Sequence, residues 1–337
     1  GSHPCLTALE SLASRIRNST KCQATSHSSH GESFAIRMAN AVEIDLLGTV
    51  VASSPLTYYE SAVEAVFKFV EAGLPITIGS GTVMGCTGPV TIAGSTVTSI
   101  AEILAGVVLA QLIRPGTAIL VSDSVYPINV RSGEPGFGAL GAALHNAVFN
   151  QVWRTYGTPT CSWIAGITSS KKIDFQSAYE RAMTALLCAS SGSNVVSLHG
   201  AVYGEMTWHP LQAVLDDDIA GWIGRCVEGI VVTDATLARE LIEEVGPAPG
   251  QYLGKEHTRM HWEEEQFVPI CADRTSYPEW VDKGEKDAVS LAEDRLEEIL
   301  ISYRPTPLST DQSEAIDGIL EEARNRCLET GRHHRFG

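Results

Sequence analysis

Residues 75–116 read PITIGSGTVMGCTGPVTIAGSTVTSIAEILAGVVLAQLIRPG. The stretch opens on a short β-branched run, 75–78, crosses a loop with glycines at 79, 81, 85, 88 and 94, and enters a long apolar helix. Strand, roomy loop and helix in that order make one β/α unit. Glycines at this density let backbone come close to a bulky group and offer bare N–H groups around it. No lysine stands where a GxxxxGK[ST] phosphate loop needs one, so nucleotide binding does not follow.

On both sides of this unit the pattern repeats. Short β-branched runs at 21–26, 48–53, 117–122, 160–165, 194–199 and 229–232 each precede an amphipathic segment, and a weaker run lies at 251–253. The paired helices are expected near 35–47, 58–72, 140–156, 174–189, 211–227 and 237–245, after a lead-in helix at 6–17. Eight β/α units predict an α/β protein of the (β/α)8 TIM-barrel class. A doubly wound sheet is the rival, but it normally has fewer units and an early GxGxxG turn, which is missing. Acidic helices at 287–300 and 314–328 flank RPTPLS, dividing the chain into a barrel at 4–285 and a helical extension at 286–330 packed on it.

The 337 residues are 44% hydrophobic, and no stretch of about eighteen is uninterrupted apolar, which predicts a soluble protein with a large core. A net charge of −16 opposes a nucleic-acid backbone as partner and suits a neutral or cationic small molecule. Cys5, Cys22, Cys86, Cys161, Cys188, Cys226, Cys271 and Cys327 are scattered singly, without CxxC or a signal peptide, so reduced thiols and a cytoplasmic location are expected. Gly1, Ser2 and His3 resemble a cloning remnant with no initiator Met behind them, so the chain is expected to begin inside a longer product.

In a parallel β/α barrel the reactive groups stand on loops leaving the carboxyl ends of the strands. That rule selects His27, His30, Ser53, Ser54, the glycine loop with Thr82 and Thr87, Asp123, Tyr126, residues 169–172, His199, Asp234, His257 and His261. His199, in SLHGAVYGE, ends an apolar run and is followed by Tyr203 and Glu205; it either touches a ligand or is satisfied by a neighbouring carbonyl. Arg131 either clamps a carboxylate or bridges Glu134. The spacing of His27 with His30 and of His257 with His261 lacks an HExxH helix or paired cysteines, so no metal is assigned and EHTRMHWEEEQ reads as a solvated stretch. No GxSxG elbow supports hydrolysis by a serine.

The glycine loop joined to AEILAGVVLAQLIRPG, with SSPL before it and RSG, DFQSAYE, LHG, VLDDDI, VGP and EHT after it, resembles the trimethylamine methyltransferase family of corrinoid-dependent methyltransferases. The likeness runs from about residue 18 to 308 and implies a TIM barrel that moves a methyl group from a methylated amine to the cobalt of a separate corrinoid protein. Trimethylamine members carry pyrrolysine, and every residue here is an ordinary one. That departure implies the non-pyrrolysine branch, similar to glycine betaine methyltransferases acting on quaternary amines. The chain is also shorter at its start than typical members.

A quaternary ammonium leaves as a neutral amine, so no general acid is needed. The protein's share is to exclude water, align the transfer and hold a cation. Tyr126, Phe137, Tyr203, Glu205 and Trp208 are the candidates for an aromatic and acidic surround, each ring alternatively being core or rim. Arg131, His199 or amides of the glycine loop (Gly79, Gly81, Thr82, Gly85, Thr87, Gly88) are candidates for a substrate carboxylate, and His199 is the expected catalytic residue. Free cobalamin or tetrahydrofolate as acceptor, and a non-catalytic quaternary-amine binder, are the alternatives. Self-association is expected.

Overall fold

The computed structural model describes residues 6–26 and 31–333, with side chains through Cys327; His27 and His30 lie outside the described residues. Six parallel strands form one sheet in strict chain order: β1 (Gln23–Ser26), β2 (Leu46–Val51), β3 (Ile76–Ser80), β4 (Ile119–Asp123), β5 (Thr160–Ser162) and β6 (Val195–Val196). Helices α2 (Glu32–Val42), α3 (Glu60–Glu71), α4 (Ile92–Ile113), α5 (Leu140–Thr155), α6 (Phe175–Ser190) and α7 (Pro210–Glu228) alternate with them, after a leading helix α1 (Thr7–Asn18). Each strand pairs with the next, and right-handed crossovers then put every connecting helix on the same side, so the sheet curls into a half-barrel. β3 is buried along its whole length, whereas Ala24 and Ser26 of β1 are exposed, as expected for the centre and the edge of such an arc.

The seventh and eighth strands expected from the sequence are absent among the described residues, so the sheet seen is six strands wide and not a closed eight-stranded barrel. Residues 229–232 form no strand, and Ile230 is 85% exposed. A capping box takes this backbone instead. Thr233 accepts from the Thr236 amide, and the Thr236 hydroxyl donates to the Val231 carbonyl at 2.7 Å, starting the short helix Asp234–Leu237 at once. Residues 251–253 are a turn. β-Branched composition registers fit to a pleated neighbour, and without that neighbour it sets no conformation.

α4 contains the apolar length and composition of a membrane span, and a third of its most apolar window is buried. It nevertheless packs on β3 between α3 and α5, and its single charged residue, Glu102, is 2% exposed. The core falls into two main parts. One joins α3, α4, α5, β2, β3 and β4 around Phe69, Ile78, Phe149 and Trp153. The other joins α1 and α2 to the chain's last helix, Thr310–His333, through Leu12, Phe34, Met38 and Ile316.

The segment after α7 bridges the two ends of the arc. The helix Ala288–Ser302 packs on α7, and the helix Thr310–His333 crosses to α1 and α2. The Tyr303 hydroxyl donates to the Asn18 carbonyl between them, and Arg37 forms a two-pronged ion pair with Glu322 at 2.9 and 2.7 Å.

Candidate functional site

Because the strands are parallel, their carboxyl ends share one rim, and the loops after β2 to β6 rise from it. A buried polar group braces almost every one of these loops. Glu102, reaching from α4, accepts from the hydroxyls of Ser54 (2.7 Å), Ser80 (2.6 Å) and Thr82 (3.3 Å) and from the Leu56 amide (2.8 Å). Asp123, at the end of β4, accepts from Ser99 at 2.8 Å and from His145 Nε2 at 2.6 Å, and all three are buried. Ser162, at the end of β5, bonds Asn146 of α5. Glu180 holds Thr168 (2.5 Å) and the Ser169 amide (3.0 Å). Asp216 of α7 takes the Gly200 amide at 2.7 Å and Arg181 at 2.8 Å. Carboxylates and amides buried this way keep the loops in place through charge-assisted bonds.

In the glycine loop three of the six expected amides, those of Gly85, Thr87 and Gly88, are already bonded. Val83 accepts from the amides of Cys86, Thr87 and Gly88, Gly85 donates to the Gly88 carbonyl, and Val83 itself donates to Thr87 Oγ1. These N–H groups close the loop on itself, so they are not free to cradle an anion. Gly88 is required by packing, since a Cβ there would lie 2.3 Å from Thr82 Cγ2. Gly79 sits inside β3, Thr82 is buried against Glu102, and Gly81 has open space where a side chain would be.

Val83 and Met84 pair in parallel with Tyr126 and Pro127, which ties this loop to the next. Tyr126 and Phe137 then meet with ring centroids 4.8 Å apart, over Ala142, Ile164 and Ile167. The Phe137 ring lies where a Cβ on Gly204 would be, at 2.4 Å. β5 stops at Ser162, earlier than expected, and a 3-10 turn (Trp163–Gly166) swings Trp163 to the rim. There it stacks on His199 at 5.5 Å and 29°, and its indole N–H donates to Glu205. Tyr126 with Phe137 and Trp163 with His199 thus form two ring pairs at this rim, with the Glu205 carboxylate bonded to Trp163 and close enough to act on the Tyr126 phenol.

Electrostatics agree with this closeness. Burial, then the Glu205 carboxylate, then Cys86 push the Tyr126 phenol up from its usual value. Burial pushes the His199 imidazole down against an opposing pull from Glu205, so the ring is neutral at pH 7. Burial pushes the thiols of Cys161 up to about 11 and Cys188 up to about 12, so neither supplies a thiolate near neutrality.

Other expected residues fall elsewhere. Tyr203 is at the rim, with φ 51°, but Lys171 Nζ already sits 5.0 Å from its ring centroid. Trp208 lies on the exposed strand (Thr207–Trp208) of a two-stranded ribbon whose other strand, Ala201–Val202, is buried. Arg131 is an exposed turn residue whose amide bonds Asn129. His257 and His261 lie 4.6 Å apart on the helix Glu256–Gln266, which has no buried residue, and Asp234 opens an exposed short helix.

Trp163 and Glu102 escaped sequence reasoning. Trp163 left no signal in a run read as strand. Glu102 did leave one, being the only charged residue in the 22 of α4.

Two consequences can be measured. Gly204 has φ +66° and lies against Phe137, so Gly204→Ala is expected to cost about 1–3 kcal/mol in thermal unfolding. The lowered His199 pKa sets a pH slope. Below about pH 6.5 the unfolded chain takes the proton first, so stability falls as pH drops through that range until the folded ring also protonates. His199→Gln is expected to flatten this slope in urea midpoints compared at acid and neutral pH.

Comparison with known proteins matches residues 25–326 to the model of the trimethylamine methyltransferase (MTTB) family. A glycine betaine methyltransferase of Desulfitobacterium hafniense (strain Y51) is 32% identical over 90% of this chain and 65% of its own length. A trimethylamine methyltransferase MttB of Methanosarcina barkeri (strain Fusaro / DSM 804) is 32% identical over 80% of this chain and 54% of its own. An MttB of Desulfitobacterium hafniense (strain DSM 10664 / DCB-2) is 31% identical over 80% and 54%. The chain therefore spans between half and two thirds of the length of these relatives. The order of its strands, the glycine loop after β3 and a match over most of its residues together place this chain in the trimethylamine methyltransferase (MTTB) family.

Proposed function

We propose that the protein is a methyltransferase that moves a methyl group from a quaternary amine of the glycine betaine kind to the cobalt of a corrinoid carried by a separate protein. The observation that carries this is the rim of Tyr126, Phe137 and Trp163 with Glu205 among the rings, a surround of the sort that holds a cation lacking N–H donors. The 32% identity to a glycine betaine methyltransferase over 90% of this chain supports a substrate of that kind.

In the reaction an N–CH3 bond breaks, the electron pair stays on nitrogen as a neutral tertiary amine, and the methyl becomes bonded to cobalt. The corrin supplies the two-electron nucleophile, Co(I), when bound. The chain's residues bind and orient. Tyr126 and Phe137 receive the trimethylammonium, Glu205 balances its charge, and neutral His199, stacked on Trp163, offers a ring N–H or lone pair to the substrate's far end without adding a second cation. With the amides of Gly85, Cys86, Thr87 and Gly88 bonded within the loop, His199 is a better carboxylate contact than these; Arg131 sits on an exposed turn. The open space at Gly81 suits the approach of a large flat group.

The six-stranded arc is read as part of a (β/α)8 barrel, with residues 286–330 as an extension packed on it. The mouth described above would then be ringed on all sides and shielded from water.

The test is to mix the protein with glycine betaine and a Co(I) corrinoid protein and follow the conversion to methyl-Co(III) by absorbance. Free cobalamin and tetrahydrofolate serve as separate acceptors. No methyl transfer from any quaternary amine to any acceptor would overturn the proposal. Within an active protein, Tyr126→Ala and Phe137→Ala are each expected to weaken amine affinity by about 3- to 30-fold, the worth of one ring contact to a cation, as read by calorimetry.

A further inference from the structure

We infer that Lys171 sets the substrate preference of this rim, favouring quaternary amines that also carry a carboxylate and turning away those that carry only the positive charge. The inference rests on the amine-binding reading of the rim given above. Neutral His199 supplies a hydrogen bond but no countercharge, and the Glu205 carboxylate suits only the ammonium end of a zwitterion. The other end is served by a cation close at hand.

Lys171 is the cation that the fold ties to the rim. Its Nζ donates to the Ser169 carbonyl at 2.8 Å and sits 5.0 Å from the Tyr203 ring centroid. The Ser169 hydroxyl in turn donates to the Phe137 carbonyl at 2.9 Å, and the amides of Tyr203 and Gly204 donate to the carbonyls of Ser170 and Thr168, each at 2.7 Å. Phe137, residues 168–171 and the turn at 203–205 are therefore stitched into one unit. Tyr203 holds φ 51° within it, a left-handed conformation that a bulky residue keeps only when its surroundings impose it. Two residues further on, Glu205 accepts the Trp163 indole N–H. One turn of chain thus presents a ring topped by a cation and then a carboxylate, the charges of a betaine reversed.

The positive charge of Lys171 is not consumed by a neighbouring acid. Asp174 accepts from Ser170 at 2.8 Å and from the Ser177 amide at 3.0 Å, while Glu180 is taken up by Thr168, the Ser169 amide and Gln176. Among the described residues Lys171 makes no ion pair. It is also exposed, so it can leave the Tyr203 ring for a carboxylate without breaking a buried bond. Selectivity then comes from both signs at once. A carboxylate gains an ammonium partner, and an amine without one meets that ammonium as an unrelieved like charge.

Isothermal titration calorimetry of the chain with glycine betaine and with tetramethylammonium tests this. The wild type is expected to bind glycine betaine more tightly. Lys171→Met removes the charge and keeps an apolar stem over Tyr203; it is expected to weaken glycine betaine roughly tenfold and to tighten tetramethylammonium about threefold. Lys171→Arg restores a cation and is expected to keep the wild-type preference. Opposite shifts for the two ligands are the signature, since altered packing alone moves both the same way. An unchanged melting temperature is expected to show that folding is intact, the side chain being exposed. A K171M variant that shifts both ligands in one direction, or neither, overturns the inference and leaves the amine-binding reading standing, as does a K171R variant that loses the preference. A wild type that binds neither ligand overturns both.

Discussion

Glu102→Ala is expected to destabilise the protein by about 3–5 kcal/mol, seen as a lower urea midpoint at unchanged slope. Glu102 is the only acceptor shared by Ser54, Ser80, Thr82 and the Leu56 amide, so its loss leaves several buried donors without the group they converge on. The hydroxyls of Ser54 and Thr82 remain 3.0 Å apart and recover part of the loss by bonding each other. Glu102→Gln keeps the shape and an oxygen for Leu56, and rotating hydroxyls can accept from its amide, so about 1–2 kcal/mol is expected for it. The loops after β2 and β3 hang on this side chain, and the proposed methyl transfer should fall along with stability in the alanine variant.

Arg181→Met is expected to have an effect of similar size. Arg181 is fully buried; its Nη1 meets Asp216 at 2.8 Å, and burial pushes its pKa down while Asp216 pulls it back up. Removing it leaves the Asp216 carboxylate with the Gly200 amide and Gln212 but no countercharge, at a cost of about 3–5 kcal/mol. The paired variant R181M/D216L removes both charges and is expected to recover much of that stability. It should not recover the proposed methyl transfer, because Asp216 also fixes the turn at Gly200 that follows His199. Urea titrations and transfer rates on the two variants and the wild type separate the two effects.

The first six strands and their helices were legible because two signals coincided there. Residues 48–53 and 117–122 are β-branched and are followed at once by helical stripes, and the structure places β2 and β4 within two residues of those runs. The run at 229–232 has only the first signal. Its backbone goes to the Thr233 and Thr236 cap, an interaction too local for apolar periodicity to reveal. The site was legible only as a rim. The rule about strand ends brought in Tyr126, Phe137, His199 and Glu205, but Trp163 depended on β5 ending early. Which amides of the glycine loop are free was not written in glycine content, since it turns on how Val83 folds back on Thr87 and Gly88. Arg131 illustrates the converse: its sequence offered a carboxylate clamp, and its turn points into solvent.

The pairing of α1 and α2 with the final helix has a consequence for biosynthesis. Leu12, Phe34 and Met38 find Ile316 and Ile319 only after some three hundred further residues have been translated. During that interval this early layer stays oily and uncovered on the ribosome, a natural client for a chaperone. Ribosomes stalled just before residue 310 should therefore carry nascent chains in which α1 and α2 remain open to protease, while those released after the last helix should not.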